Sequence, residues 1–119
     1  MEKKNKLKKV RVIGAGLAGS EAIYFLSKKG FEIEVYENKI TNPNSAQHDR
    51  NYGELVCSNS LKSTSLENAC GLLKQEIEEL DSLIIKAAKY SQIPSGQDLA
   101  VDRNNFSKYI TETLKNLPN

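Results

Sequence analysis

The hydrophobic and polar positions in the first third of the chain predict a β-α-β unit. Residues 10–14 open with a β-branched run that predicts a buried strand, and residues 32–37 predict a second strand. Between them, mostly apolar positions recur at helical spacing until Gly30, the residue that ends the predicted helix. The recurring positions are Ala18, Ala22, Phe25, Leu26 and Lys29.

The middle of the chain predicts helical structure after a polar stretch. Thr64 or Ser65 is the expected N-cap of a long helix, and Gly71 and Asp81-Ser82 are weak points. One helix and two helical pieces are therefore equally consistent with the pattern. The helical residues carry an apolar stripe that we expect to be buried. The stripe comprises Leu66, Ala69, Leu73, Ile77, Leu80, Ile84, Ala87 and Ala88.

The last third of the chain predicts one more strand and a final helix. Residues 99–101 form a short apolar run, which is the third strand candidate. Asp102, with Asn105 three residues later, predicts the start of an amphipathic helix. Its expected buried face consists of Phe106, Ile110, Leu114 and Leu117.

A glycine-rich turn joins the first predicted strand to the first predicted helix. It has the spacing G-x-G-x-x-G and consists of Gly14, Ala15, Gly16, Leu17, Ala18 and Gly19. In a dinucleotide-binding fold, the first glycine permits the tight turn, the second lets a pyrophosphate approach the backbone, and the third lets the helix pack closely. The helix N-terminus then presents N–H groups and a positive dipole end to the phosphates. The pattern alone is a weak signal, but its place between a strand and a helix indicates a dinucleotide site.

Glu37 lies at the carboxyl end of the second predicted strand. Its carboxylate can accept hydrogen bonds from the hydroxyls of an adenosine ribose, and its negative charge would repel a 2′-phosphate. The sequence therefore predicts FAD or NAD, rather than NADP, as the ligand. The alternative is a Rossmann-like turn that binds no nucleotide.

Chain length limits how much of such a fold the sequence can supply. The chain has 119 residues, enough for one small core, whereas a doubly wound dinucleotide domain needs further strands. We expect a basic N-terminal tail at residues 1–9 and the first part of a truncated Rossmann-like domain at residues 10–119. The expected fold class is α/β, with an incomplete parallel sheet and flanking helices.

Charge and cysteine usage describe the setting of the protein more than its function. The net charge is +2, and the basic residues 3–9 are more often a solvated tail than an RNA-binding arm. No apolar run approaches the roughly 20 residues that span a bilayer, and we recognise no signal peptide. Two cysteines without an export signal indicate a reducing cytoplasm. No metal site is expected.

A second distinctive segment, residues 54–61, contains Cys57 among small polar residues. We expect it at a loop-to-helix junction, where nearby N–H groups can lower the pKa of a thiol. On the residues alone, Cys57 is either a reactive thiol or a buried structural cysteine, and the second case is the more common one. Cys70 is expected in the core. His48 lies in the polar loop after the second strand and is most simply a surface residue.

Several stretches of the chain together resemble one family. They are GAGLAGSEA, the strand that ends at Glu37, ELVCSNSL, the helical residues within 71–84, and LAVDR at residues 99–103. The family is the folate- and FAD-dependent RNA uracil-5-methyltransferases, called TrmFO, and the resemblance covers residues 10–117. This length corresponds to the amino-terminal quarter or so of a family member. The GidA-type tRNA-modifying flavoproteins share the glycine turn, but ELVCSNSL is the specific signal.

The resemblance implies a fold, cofactors and a reaction. The fold would be a GidA-type FAD-binding domain. Family members use FAD, reduced by NAD(P)H, and transfer a one-carbon unit from methylenetetrahydrofolate to C5 of a uridine, typically in the tRNA T-loop. One branch acts on 23S ribosomal RNA instead. Attack of a thiol at C6 of uracil would make C5 nucleophilic, while the flavin supplies reducing equivalents.

Carried over residue by residue, the resemblance assigns FAD binding to the glycine turn and Glu37. It assigns catalysis to Cys57, as the thiol that forms an adduct or as a proton-handling partner. The second cysteine implicated in the family lies beyond residue 119, and Cys70 does not correspond to it. His48 stands in the loop where family members carry histidine.

The sequence departs from the family pattern at three places. Ile23 stands where many such flavoproteins have alanine, and a larger side chain there would crowd the packing of helix on strand. Asp81 replaces a typical glycine in the long helix. Residues 38–40 replace a Met-Arg-Pro type of sequence after the second strand, which affects contacts at the adenine end.

Three hypotheses follow for the chain as a whole. The first is an amino-terminal part of the methyltransferase, inactive alone and meeting RNA only within the full-length protein. The second is a stand-alone FAD- or NAD-binding or interaction module that pairs with a separate partner. The third, part of an NAD-dependent dehydrogenase, leaves ELVCSNSL unexplained. Uncovered sheet edges also predict marginal stability or self-association of the isolated chain.

Overall fold

The structure is a computed structural model that describes residues 8–37, 52–55, 59–96 and 98–117. These residues form five strands and four helices. The strands are β1 (Lys9–Ile13), β2 (Glu32–Tyr36), β3 (Ser60–Ser63), β4 (Gln92–Ile93) and β5 (Asp98–Val101). The helices are α1 (Leu17–Lys28), α2 (Ala69–Glu79), α3 (Leu83–Tyr90) and α4 (Arg103–Lys115). Along the chain the order is β1-α1-β2-β3-α2-α3-β4-β5-α4.

The strands form two sheets with different pairing. β1 and β2 pair in parallel, with Val10 opposite Ile33, and α1 is the crossover between them. β3, β5 and β4 form an antiparallel sheet in which β5 lies at the centre. The predicted β-α-β unit and α/β class are therefore confirmed. The third predicted strand exists as β5, and it belongs to the antiparallel sheet.

The prediction that the first strand is buried is wrong, because β1 alternates between exposed and half-buried residues. Val12 packs against the core, on the same side as Val10. On the other face, Lys9 and Arg11 donate to the carboxylate of Glu34 on β2, at 3.3 and 2.9 Å. Arg11 and then Lys9 lower the pKa of Glu34. The parallel pair thus has one apolar face and one charged, solvated face.

The core lies where α1, α3, α4 and β5 meet. Its largest fully buried apolar side chains are Phe106, Leu83, Ile110 and Val101. The predicted start of the last helix is confirmed, because Asp102 accepts a hydrogen bond of 2.9 Å from the N–H of Asn105. The expected inner face of α4 is confirmed too, with Leu114 buried and Leu117 partly buried.

Of the two possibilities that the sequence leaves open for the middle of the chain, the structure has two helices. The break is at Asp81, whose φ is +69°, in the left-handed region that glycine adopts most easily. This conformation explains why a glycine suits the same position in the family pattern. Ser82 then caps α3 by accepting from the N–H of Ile85 at 3.2 Å. Gly71, the other expected weak point, lies inside α2 without interrupting it.

Two expectations for α2 are wrong. Its N-cap is Asn68, which accepts from the N–H of Gly71 at 3.1 Å, and not Thr64 or Ser65. Its apolar stripe is largely solvent-exposed, because α2 packs mainly against α3 and β3 and has no further layer over it among the described residues. The exposed members of the stripe are Leu66, Ala69, Leu73 and Leu80, whereas Ala87 and Ala88 on α3 are buried.

Candidate functional site

The glycine turn connects the carboxyl end of β1 to α1. Gly14 has a φ of +91°, which side chains of L-residues rarely adopt, and its N–H donates to the carbonyl of Tyr36 at 2.7 Å. A Cβ added to Gly19 would lie 1.9 Å from the carbonyl oxygen of Gly14. The first glycine is therefore required by its conformation and the third by the close approach of helix to strand.

Helix α1 begins without a side-chain cap. Its N-cap is Gly16, and among the described residues no side chain accepts a hydrogen bond there, whereas Asn68, Ser82 and Asp102 cap α2, α3 and α4. Apart from residues close to it in the chain, no described residue lies within 4 Å of the position that a Cβ on Gly16 would take. A helix N-terminus with unbonded N–H groups and a positive dipole end, next to bare backbone, fits a pyrophosphate group.

Leu17 and Ala18 are the first two residues of α1, and their side chains differ in burial. The side chain of Leu17 packs against the core, while Ala18 is exposed. The contribution that the sequence predicts for them toward a phosphate is therefore a backbone one. Both residues lie at the turn, and the binding of phosphate by their N–H groups stays a prediction.

Glu37 lies directly beside the turn. Its Oε1 accepts a hydrogen bond of 2.7 Å from the N–H of Ala15. An ionised carboxylate offers about four acceptor sites, so this bond is compatible with further bonds to ribose hydroxyls. The residue expected to bind the ribose is thus also tied to the backbone expected to bind the phosphates.

The carbonyl oxygen of Ala15 is fixed by hydrogen bonds as well. Its oxygen accepts from the hydroxyl of Ser20 at 3.1 Å and from the N–H of Gly53 at 2.7 Å. Sequence reasoning missed Gly53, and the available signal was a glycine immediately before the distinctive segment that starts at Glu54. Through this bond, residues 52–55 lie against the glycine turn.

The predicted catalytic residue Cys57 and the loop residue His48 lie outside the described residues. The described end of this segment enters strand β3, where Ser60 pairs with Ala100 of β5. The junction expected at Cys57 lies outside the described residues and stays a prediction. Cys70 was expected in the core and is exposed. It lies in the first turn of α2, whose one buried residue is Gly71.

One groove among the described residues runs along α1, from Ala18 at the glycine turn to Lys28 and Lys29 at the other end of the helix. It has a volume of about 920 Å³ and lies between α1 and the end of α2. Part of its wall consists of α1 positions that recur at helical spacing in the sequence, including Phe25, which is 54 % exposed. Helix α1 instead buries Ser20, Ile23 and Ser27. Ile23, whose side chain we expected to crowd the packing of helix on strand, lies in the core.

The rim of this groove is charged. Asp81 pairs with Lys28 of α1 and with Lys86 of α3. Lys28 and then Lys86 lower the pKa of Asp81, and Asp81 in turn raises the pKa of both lysines. Both ammonium groups also lie over the ring of Tyr24, 4.8 and 5.1 Å from its centre. These contacts join the C-terminal end of α1 to α3. The glycine turn lies at the opposite, N-terminal end of α1.

No helix built from the described residues has the length and apolar composition needed to cross a bilayer. In the same part of the chain, no three His, Cys, Asp or Glu side chains are grouped so that they could hold a metal ion.

Comparison with known proteins supports the resemblance seen in the sequence. The chain is 53 % identical over 113 residues to a protein of Exiguobacterium sibiricum and to one of Lactobacillus gasseri, and 53 % identical over 110 residues to one of Staphylococcus carnosus. All three are named methylenetetrahydrofolate--tRNA-(uracil-5-)-methyltransferase TrmFO. The matches cover 95 %, 95 % and 92 % of this chain and 26 %, 26 % and 25 % of the relatives. The chain thus spans about a quarter of the length of these relatives.

The family described as glucose inhibited division protein A matches residues 9–119, which is nearly the whole chain. The match begins at the first residue of β1 and includes the glycine turn, residues 52–55 and all four helices. The chain therefore belongs to the glucose inhibited division protein A family, and its uncapped glycine turn is part of a GidA-type FAD-binding domain.

Proposed function

We propose that this chain supplies part of the FAD-binding domain of an RNA methyltransferase. The whole enzyme would take a one-carbon unit from methylenetetrahydrofolate, with NAD(P)H as reductant, and place it on C5 of a uridine in the tRNA T-loop. The name of the relatives at 53 % identity supports this reaction and favours tRNA over ribosomal RNA. Bound FAD would supply the reducing equivalents for the transfer.

The observation that carries the proposal is the uncapped N-terminus of α1 beside Gly16, with Glu37 bonded to the same turn. In the bound state, the first N–H groups of α1, including those of Leu17 and Ala18, would donate to the pyrophosphate. Glu37 would accept from ribose hydroxyls while it holds the N–H of Ala15. Gly14 and Gly19 would keep the turn in the shape that these contacts need.

Cys57 is the proposed catalytic residue. Its thiolate would attack C6 of uracil and make C5 nucleophilic, or the thiol would handle a proton in the same reaction. Support comes from the flank of this segment, because the N–H of Gly53 bonds to the carbonyl of Ala15 in the turn. A segment anchored there begins next to the proposed cofactor site.

The test uses a chimera in which this chain replaces the corresponding quarter of the Exiguobacterium sibiricum relative. We expect the purified chimera to carry flavin and to form 5-methyluridine in tRNA that lacks it, when given methylenetetrahydrofolate and NAD(P)H. A chimera that binds FAD but does not methylate, while its parent does, would contradict the proposal.

Variants of the chimera separate the two proposed roles. Cys57→Ala should abolish methylation and leave the flavin content unchanged, and Cys70→Ala, which removes an exposed cysteine, should change neither. Equal losses from the two cysteine variants would argue against a catalytic role for Cys57.

The proposed setting is the cytoplasm, where tRNA is modified. Self-association of the isolated 119-residue chain stays a prediction, based on the exposed stripe of α2. Sedimentation of the purified chain at several concentrations would measure it, and a monomer at all concentrations would contradict it.

A further inference from the structure

Helix α4 is connected to the glycine turn by hydrogen bonds that begin at the side chain of Thr111. This residue is buried, with 6 % of its surface exposed. Its Oγ1 donates to the carbonyl of Ser107, one helical turn earlier, at 2.8 Å. The same oxygen accepts from the N–H of Tyr52, also at 2.8 Å. A hydroxyl has one donor and two acceptor sites, so both bonds form at once and the helix sets the direction of the acceptor.

The residue after Tyr52 connects this bond to the turn. The N–H of Gly53 donates to the carbonyl of Ala15 at 2.7 Å, and the N–H of Ala15 donates to Glu37 at 2.7 Å. Ala15 is 1 % exposed and immediately precedes Gly16, the N-cap of α1. A continuous path of hydrogen bonds and backbone therefore runs from α4 to the residue before the proposed phosphate site.

Both the backbone conformation and the surroundings of residue 53 favour a glycine there. Its φ is +68°, and an added Cβ would lie 2.6 Å from Cδ1 of Ile110 on α4. Helix α4 therefore contacts residues 52–53 from two successive positions, Ile110 by packing and Thr111 by a hydrogen bond. Two contacts of different kinds restrict residues 52–53 to one placement against Ala15.

A threonine inside a helix commonly bonds the carbonyl four residues earlier, and Thr111 does so. Its second bond joins α4 to an N–H 59 positions away along the chain, which helix formation does not require. We propose that Thr111 is a positioning residue for the glycine turn. By holding Tyr52 and Gly53, it fixes the carbonyl of Ala15 and thereby the direction of the first N–H groups of α1. The consequence for FAD rests on the proposed function.

The test compares Thr111→Val, which keeps the shape and removes the hydroxyl, with Thr111→Ser, which keeps the hydroxyl. In the 119-residue chain without flavin, we expect Thr111→Val to shift the NMR amide signals of Ala15 and Gly16 and to speed hydrogen exchange at Gly53. A titration followed by flavin absorbance should show an FAD dissociation constant raised about two- to tenfold, the effect of one hydrogen bond. Thr111→Ser should restore both properties.

The matched control is Ser107→Ala. Ser107 is also buried on α4, and its hydroxyl donates to the carbonyls of Arg103 and Asn104 within the same helix. Removing it tests the loss of a buried hydroxyl from α4 without touching the path to the turn. We expect this variant to leave the signals of Ala15 and the FAD dissociation constant unchanged.

Unchanged signals of Ala15 and Gly16 in Thr111→Val would overturn the proposal, whether or not the chain binds FAD. An effect on FAD binding that Ser107→Ala reproduces, or that Thr111→Ser does not restore, would also overturn it. If the wild-type chain binds no FAD, the proposed function fails for the isolated chain, and the amide signals still decide the positioning role of Thr111.

Discussion

The carboxylate of Glu21 on α1 accepts a hydrogen bond of 2.7 Å from the N–H of Leu83, the first residue of α3. It also accepts from the N–H of Ile84 at 3.3 Å and from the hydroxyl of Ser82. A negative charge is favourable at a helix N-terminus, where the dipole is positive. One side chain of the helix that follows the glycine turn therefore caps a helix more than 60 positions further along the chain.

We expect Glu21→Ala to lower the free energy of unfolding by about 1–3 kcal/mol, because it leaves N–H groups of Leu83 and Ile84 without an acceptor. Urea denaturation followed by circular dichroism measures this loss. Glu76→Ala, at an exposed position of α2, is the control and should stay within about 0.5 kcal/mol of wild type. Equal losses from the two variants would mean that the cap contributes nothing specific.

We expect a substitution at Gly19 to lower stability and a substitution at Gly16 to weaken FAD binding. Gly19→Ala places a Cβ against the carbonyl of Gly14, and we expect it to cost about 1–3 kcal/mol or more of unfolding free energy. Gly16→Ser meets no neighbour, supplies a favourable N-cap and should stay within about 0.5 kcal/mol of wild type. The hydroxyl of the new serine would accept hydrogen bonds from the N–H groups that are proposed to bind phosphate. The FAD dissociation constant should therefore rise about tenfold or more.

Thermal or urea unfolding and a flavin titration, run on both variants, check this contrast. If Gly16→Ser binds FAD as tightly as wild type, the N-terminus of α1 is not the phosphate site.

Glu37→Gln tests the charge of the proposed ribose ligand separately from its bond to the turn. The amide oxygen of glutamine can still accept from the N–H of Ala15, but bonds from ribose hydroxyls to a neutral acceptor are weaker. We expect the FAD dissociation constant to rise about five- to tenfold with the fold intact. Glu32→Gln, on the exposed face of β2, should leave FAD binding unchanged and serves as the control.

The charge cluster at Asp81 predicts a pH dependence of stability. Because Lys28 and Lys86 lower its pKa below the ordinary value of 3.8, ionised Asp81 stabilises the folded chain above that pH as long as the two lysines stay protonated. The contribution should disappear as the pH falls through the lowered pKa. Asparagine tolerates a positive φ, so Asp81→Asn removes the charge with little change in backbone strain.

Unfolding of wild type and Asp81→Asn should therefore differ at pH 7 and converge at strongly acidic pH. Salt should narrow the difference at pH 7, because the three groups are about half exposed and their attraction is screened. A difference that persists unchanged into strong acid would assign the effect to something other than the ion pairs.

Features of the chain that depend on nearby residues could be predicted from the sequence. The turn after β1, the helix that ends near Gly30, the break at Asp81 and the cap at Asp102 each depend on residues only a few positions apart. Conformational preference and hydrogen bonding within one turn decide such features, and both can be inferred from residue types.

Burial and long-range contacts could not be predicted in this way. The spacing of Leu73 and Leu80 correctly predicts a helical face, yet whether that face is covered depends on elements elsewhere in the fold. Cys70 is exposed for the same reason. The place of Gly53 before the distinctive segment is a local signal, but its bond to Ala15 is not, because the two residues are distant in the sequence.

The bond between Tyr52 and Thr111 spans 59 positions, whereas Arg11 and Glu34 meet across only 23. The entropy cost of closing a chain segment grows with its length, so contacts of short range tend to form first during folding. We expect pulse-labelled hydrogen exchange to protect the N–H of Gly14, bonded within the β-α-β unit, before that of Gly53. Simultaneous protection would contradict this order. On this account the glycine turn reaches its final geometry late in folding, although the turn itself consists of residues adjacent in the sequence.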